Sequence, residues 1–133
     1  MQVKSLTAYK FHSSQIVYLE YENARLYGEV IEFVESRQVC WVRPLILAVP
    51  AIGSDLLPLI SLENLTLYDL RQGADLLLPA CLFQEAIDSE VIPLLVELNN
   101  PETQLVSKAD THQQLRHFIN QVWEAYKSEF QAS

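Results

Sequence analysis

Residues 15–49 read QIVYLEYENARLYGEVIEFVESRQVCWVRPLILAV, and the reading of this run decides the fold. In its first part, Val17, Leu19 and Tyr21 alternate with Tyr18, Glu20 and Glu22. A period of two belongs to a strand with one buried face. A second strand is expected from Leu26 to Glu35, with Gly28 and Val30 on one face and Ile31 and Phe33 on the other. Ser36 and Arg37 interrupt it, and Gln38 to Val49 resumes through Val39, Cys40, Trp41 and Val42. Short polar breaks between alternating segments predict hairpins and an antiparallel sheet. Pro44 has no N–H for a ladder, so it is expected to end the third strand or place it at an edge. An earlier strand is expected near Val3 to Phe11.

Beyond residue 50 the pattern changes. Gly53-Ser54-Asp55 reads as a turn. Leu65 to Leu70 (LTLYDL) reads as another strand, closed by Arg71-Gln72-Gly73. A helix is expected to open near Asp75 or Leu78-Pro79, with Leu82, Phe83, Ala86 and Ile87 as its apolar stripe. Asp88-Ser89 then caps a second helix, with Val91, Leu94, Leu95 and Leu98 at helical spacing. Pro93 is placed within its first turn, and Asn99-Asn100-Pro101 ends it. Near the C-terminus, Asp110-Thr111 precedes Gln113-Gln114 as a helix start. Leu115, Phe118, Ile119, Val122, Trp123, Tyr126 and Phe130 fall on one stripe of an amphipathic helix. From Thr111 to Glu129 such a helix spans roughly 29 Å. It is expected to pack on the sheet, with docking of a partner as the alternative.

The expected fold is therefore α+β. A curled antiparallel sheet or small barrel occupies residues 1–70, and helices from about 76 to 130 cover it. Leu62, Leu65, Leu67 and Leu70 have no second copy at a repeat period, so a leucine-rich repeat is set aside. No Gly/Ser or Pro-rich linker divides the 133 residues, so one domain with two layers is expected.

Composition narrows the function classes. The chain is 50% hydrophobic, with 17 acidic and 9 basic side chains and a net charge of −8. Residues 1–50 carry five acidic and five basic groups and are neutral, whereas residues 51–133 carry twelve acidic and four basic groups. Phosphate binding wants an excess of Lys and Arg, so nucleic acid is not expected as a bulk partner. Gly28, Gly53 and Gly73 stand alone, which excludes glycine-rich phosphate loops. Cys40 and Cys81 lie far apart, and His112 and His117 are five residues apart on different helix faces, so no metal site is expected. No cofactor motif and no catalytic signature surround either cysteine. Glu29, Glu32, Glu35, Glu85, Asp88 and Glu90 are read as caps and solvated faces rather than acid/base pairs.

Both thiols are expected to be reduced and buried, and the protein cytoplasmic, because Met1 to Ser14 has no apolar signal core. Pro44 to Leu62 is almost uncharged and has the length of a membrane span. Three prolines and a glycine would break such a helix, and Asp55 would cost roughly 2.5–3.5 kcal/mol, so no span is expected.

The N-terminal half resembles a small SH3- or Sm-like barrel in composition. The residues that carry the likeness are Tyr9, Phe11, Tyr18, Tyr21, Tyr27, Phe33 and Trp41, with Arg25, Arg37 and Arg43. The resemblance implies weak binding of single-stranded RNA or peptides, with Tyr27, Trp41 and Arg43 as contact residues. The alternative is that the aromatics fill the core and the arginines pair with glutamates. Taken together, the expectation is a non-enzymatic binding, assembly or regulatory domain with a protein partner or self-association. The alternatives are a small enzyme or ligand-binding domain with its own pocket, and RNA binding by the β half.

Overall fold

A computed structural model describes residues 10–50, 65–100 and 107–132, with side chains to Lys127. The strand expected at 3–11 and the turn at 53–55 lie essentially outside these residues. The observed elements are β1 (Ile16–Tyr21), β2 (Ala24–Val34), β3 (Val39–Pro50), β4 (Leu65–Asp69), β5 (Leu76–Pro79), β6 (Gln84–Glu85), α1 (Asp88–Leu98) and α2 (Lys108–Ala132). The class is α+β, with one six-stranded antiparallel sheet and two C-terminal helices.

The β1–β2 hairpin closes on Glu22 and Asn23, both left-handed at φ 49° and 69°. Two successive positive φ values make the tight turn whose twist matches that of paired strands. Glu35 to Gln38 turns β2 into β3, with Gln38 at φ 53°. The register breaks twice between these strands, after Tyr27 and after Val30. The second break puts Val30 and Phe33 into the same core, where strict alternation predicted opposite faces. An inserted residue shifts every later side chain by one face. At the first break, Gly28 lies against β3 so closely that a Cβ would meet Val42 Cγ1 at 2.3 Å.

Pro44 neither ends β3 nor sits on a sheet edge. β2 covers one side of β3; the other side pairs with β5 over residues 39–42 and with β4 over 46–50. Pro44 falls in the gap between those two partners, where no ladder hydrogen bond is asked of it.

The helix expected from about 76 is instead β5, a 3-10 turn (Ala80–Leu82) and β6. Leu76–Pro79 pairs with Val42–Val39, so tertiary strand pairing overrides the leucine-rich composition. This segment also shapes the sheet. The strand order is β4-β3-β2-β1-β6, with β5 also on β3. Four strand spacings, about 19 Å in a flat sheet, separate β5 from β6. The five steps from Pro79 to Gln84 reach at most about 18 Å fully extended, and the 3-10 turn shortens them. The sheet must therefore curl, yet it stays open because β5 and β6 pair with β3 and β1 and not with each other.

Two cores flank the sheet. One gathers Val17, Leu19, Leu26, Val30, Cys40, Val42, Leu47, Leu78, Ala80 and Phe83, with Phe118 and Val122 of α2 packed over them. The 3-10 turn joins this core, which is therefore the side enclosed by the curl. Burial there pushes the Cys40 thiol up to about 11, while Cys81, expected to be buried, is exposed. The second core gathers Tyr27, Ile46 and Ala48 under Val91, Leu94 and Leu98 of α1. α2 begins one turn earlier than its sequence suggested: Ser107 Oγ accepts the Asp110 N–H at 3.2 Å. Pro93 lies in the second turn of α1, beyond the free N–H groups of the first.

Candidate functional site

The outer side of the sheet, the one that carries α1, is built on a buried cation. Arg25 is 2% exposed and projects from β2 on the same face as Tyr27. Its Nε donates to Glu20 Oε1 of β1 at 2.9 Å, and its guanidinium also pairs with Glu90 of α1. Nη1 lies 3.3 Å from the Tyr27 hydroxyl, and that hydroxyl donates to Glu90 Oε2 at 3.0 Å. The guanidinium stacks 4.1 Å above the Tyr18 ring. Burial pushes the Tyr27 phenol up, opposed by the adjacent Arg25 charge and hydrogen bond. Among the described residues, no buried side-chain nitrogen or oxygen lacks a hydrogen-bond partner. A buried charge needs this full set of partners, because stripping its water costs several kcal/mol. The network therefore fixes which turn of α1 meets the sheet.

Glu90 has a second duty: its other oxygen faces the Ile87 N–H at 3.5 Å, at the start of α1. Its sequence reading as a helix-start carboxylate thus covers only half of its role. The Arg25 partner is 65 residues away, which local spacing cannot reveal.

The fixed orientation of α1 leaves part of its apolar surface in water. Val91, Leu94 and Leu98 are buried, but Ile92 is 54% and Val96 63% exposed. Ile87, just before the helix, is 62% exposed. Among the described residues, the other exposed large apolar side chains are Trp41 and Leu77, direct partners across β3 and β5. Their neighbours Cys40, Val42 and Leu78 point into the enclosed core, so Trp41 and Leu77 point to the outer side. Every strongly exposed large apolar residue described is thus on the α1 side of the sheet.

The three sequence-derived contact residues are not brought together as one platform. Tyr27 is 2% exposed beneath α1 and belongs to the Arg25 network. Trp41 and Arg43 do share a surface, joined through Asp75: the indole N–H donates at 2.9 Å and Arg43 Nε at 3.3 Å. The C-terminal helix, expected to pack on the sheet, packs Phe118 and Val122 into the core with Leu115, Ile119 and Trp123 beside them. The exposed apolar surface that sequence reading missed is on α1. Its signal was the unbroken run VIPLLV over residues 91–96, which is apolar on all helix faces rather than one. No protein-family model matches this chain, and no match is found among curated proteins or solved structures.

Proposed function

We propose that the protein is a non-catalytic binding module that docks another protein on the α1 side of its sheet. The observation that carries this reading is the exposure of Ile92 and Val96, one turn apart on a helix whose opposite face packs on the sheet, with Ile87 exposed just before it. Exposed apolar residues clustered on one side mark interaction surfaces more often than chance placement does. Glu85 and Asp88, within two residues of Ile87, are exposed. The partner is therefore apolar at its centre and basic at its rim. A second copy of this chain would bring the same acidic residues against themselves, which favours a different protein. A reducing compartment such as the cytosol suits two cysteines that form no disulfide.

The test uses the full chain and its Ile92→Asp/Val96→Asp variant. A protein captured by the wild type is identified, purified and titrated against both forms. The expected result is binding at least about tenfold weaker to the variant, equivalent to about 1.4 kcal/mol, with an unchanged melting curve. Equal affinity for both forms overturns the reading. So does a wild-type dimer in sedimentation that the variant loses, which would assign the patch to self-association.

A further inference from the structure

The enclosed side of the molecule carries a different kind of site. A cavity of about 490 Å³ lies between the β4–β5 connection and the first four turns of α2. Its volume falls in the range of pockets that hold small molecules. Pro44, Leu70, Leu76, Leu115 and Ile119 make its apolar wall. Lys108, His112 and Arg116 also line it, each four residues from the next. That spacing puts all three on one edge of α2, over about 12 Å.

The charge balance around this cavity runs against that of its surroundings. Residues 51–133 hold only four Lys and Arg side chains against twelve acids, and two of the four line the cavity. Neither Lys108 nor Arg116 has an ion-pair partner among the described residues. The acid of the lining, Asp69, is already committed: Arg71 donates to it through Nε at 2.9 Å, Nη2 at 3.0 Å and its backbone N–H at 3.0 Å. Asp75, on the same connection, is held by Trp41 and Arg43. The carboxylates of the β4–β5 side are thus satisfied by other cations; Asp110, in the first turn of α2, is not part of the lining, and the lining edge of α2 carries only positive charge. The positive end of the α2 dipole adds to it at Lys108.

We infer that this cavity binds a small amphipathic organic anion, its apolar body against Leu70, Leu115 and Ile119 and its carboxylate at Lys108, His112 and Arg116. A neutral apolar molecule would leave two cations unused. A small inorganic anion would leave the apolar wall wet. Both halves of the site are used only by a ligand with both chemistries. The inference is independent of the protein-docking surface, which lies on the opposite side of the sheet.

The experiment is calorimetric titration of the full chain with decanoate, decyl phosphate and decanol, at low salt and below the micelle concentration of each. Decanoate is expected to bind, and decanol to bind at least about fivefold more weakly. In the Lys108→Gln/Arg116→Gln variant, decanoate affinity is expected to drop to that of decanol, with decanol itself unchanged. Ala74→Trp, which fills the mouth from an exposed position in the lining, is expected to weaken both. Tighter binding of decyl phosphate than of decanoate would keep the site and reassign the head group to a phosphate. Three results overturn the proposal: no binding to folded wild type, equal affinity for decanoate and decanol, or decanoate affinity untouched by the double substitution. The substituted residues are exposed, and an unchanged melting curve confirms that the variants fold.

Discussion

The two helices cover opposite faces of one sheet and are attached to it by different physics. α2 is amphipathic in the ordinary way: Phe118 and Val122 are buried, and Leu115, Ile119 and Trp123 pack beside them. Its docking buries the middle of its apolar stripe, Phe118 and Val122. α1 buries Val91, Leu94 and Leu98 but is also apolar at Ile92 and Val96, so burial alone constrains its rotation less. Arg25, Glu90 and Tyr27 add a directional contact, because their groups must meet at hydrogen-bonding distance. Apolar burial is non-directional and roughly proportional to area, whereas a buried ion pair tolerates little displacement. A directional anchor lets α1 keep apolar residues in water that free packing would have buried.

The comparison can be broken most severely at α2. Phe118→Ala removes the most buried anchor of that helix and should cost about 3–5 kcal/mol, the range for large-to-small core changes. Chemical denaturation would show it as a lower midpoint at unchanged slope. A loss below about 1 kcal/mol would mean that α2 is not held by its stripe.

On the α1 face, Glu90→Ala leaves the Arg25 cation with Glu20 as its one remaining carboxylate. The expected loss is about 3 kcal/mol, because half of a buried pair is removed. The sharper measurement is the double change Arg25→Met/Glu90→Leu. It should recover most of that stability while blurring the orientation of α1, seen as doubled or broadened amide resonances for residues 88–98. Recovery with sharp single resonances would show that packing alone orients the helix.

The Asp69–Arg71 pair offers the exposed counterpart of the Arg25 network. Hydrogen bonding from Arg71 is the main cause holding the Asp69 carboxyl below its ordinary 3.8. A carboxylate lowered by folding contributes its full stability above the unfolded value and loses it as pH falls through the folded one. Asp69→Asn should therefore lose that contribution at neutral pH, where it is full, and flatten the fall in stability below about pH 4, converging with wild type in acid. With a quarter to a third of both side chains exposed, the effect should stay under about 1 kcal/mol. An effect near neutral pH comparable to that of Glu90→Ala would erase the distinction between the two pairs.

The smallest expected change is on the outer face of α1. Ile92→Asp/Val96→Asp should alter the unfolding free energy by no more than about 0.5 kcal/mol per site, as for exposed positions away from special features. Val91→Asp, one residue away but buried, should be far more damaging. Similar losses from both would show that the outer residues are structural and not a free surface.

Local chemistry determined much of this protein by itself. Alternation over residues 16–21, the polar break at 36–37, the strand at 65–69, the Asn99 stop and the α2 stripe are all properties of neighbouring residues. Neighbour spacing suffices because hydrophobic period and turn preference act within a few positions. The α+β class follows from these. What long-range contact decided could not be read in this way. Residues 76–85 became strand, turn and strand because β3 and β1 offered unpaired edges to them. Pro44 was accommodated in mid-strand because β5 stops before it and β4 starts after it. Tyr27 moved from a candidate contact to the floor beneath α1, and Trp41 and Arg43 were joined through Asp75, 34 and 32 residues away. Arg25 became the anchor of α1 through a carboxylate that no local spacing connects to it. In each case an unpaired backbone edge or a buried charge had to be satisfied. Such partners are supplied by whatever the fold brings near, not by what stands near in the chain.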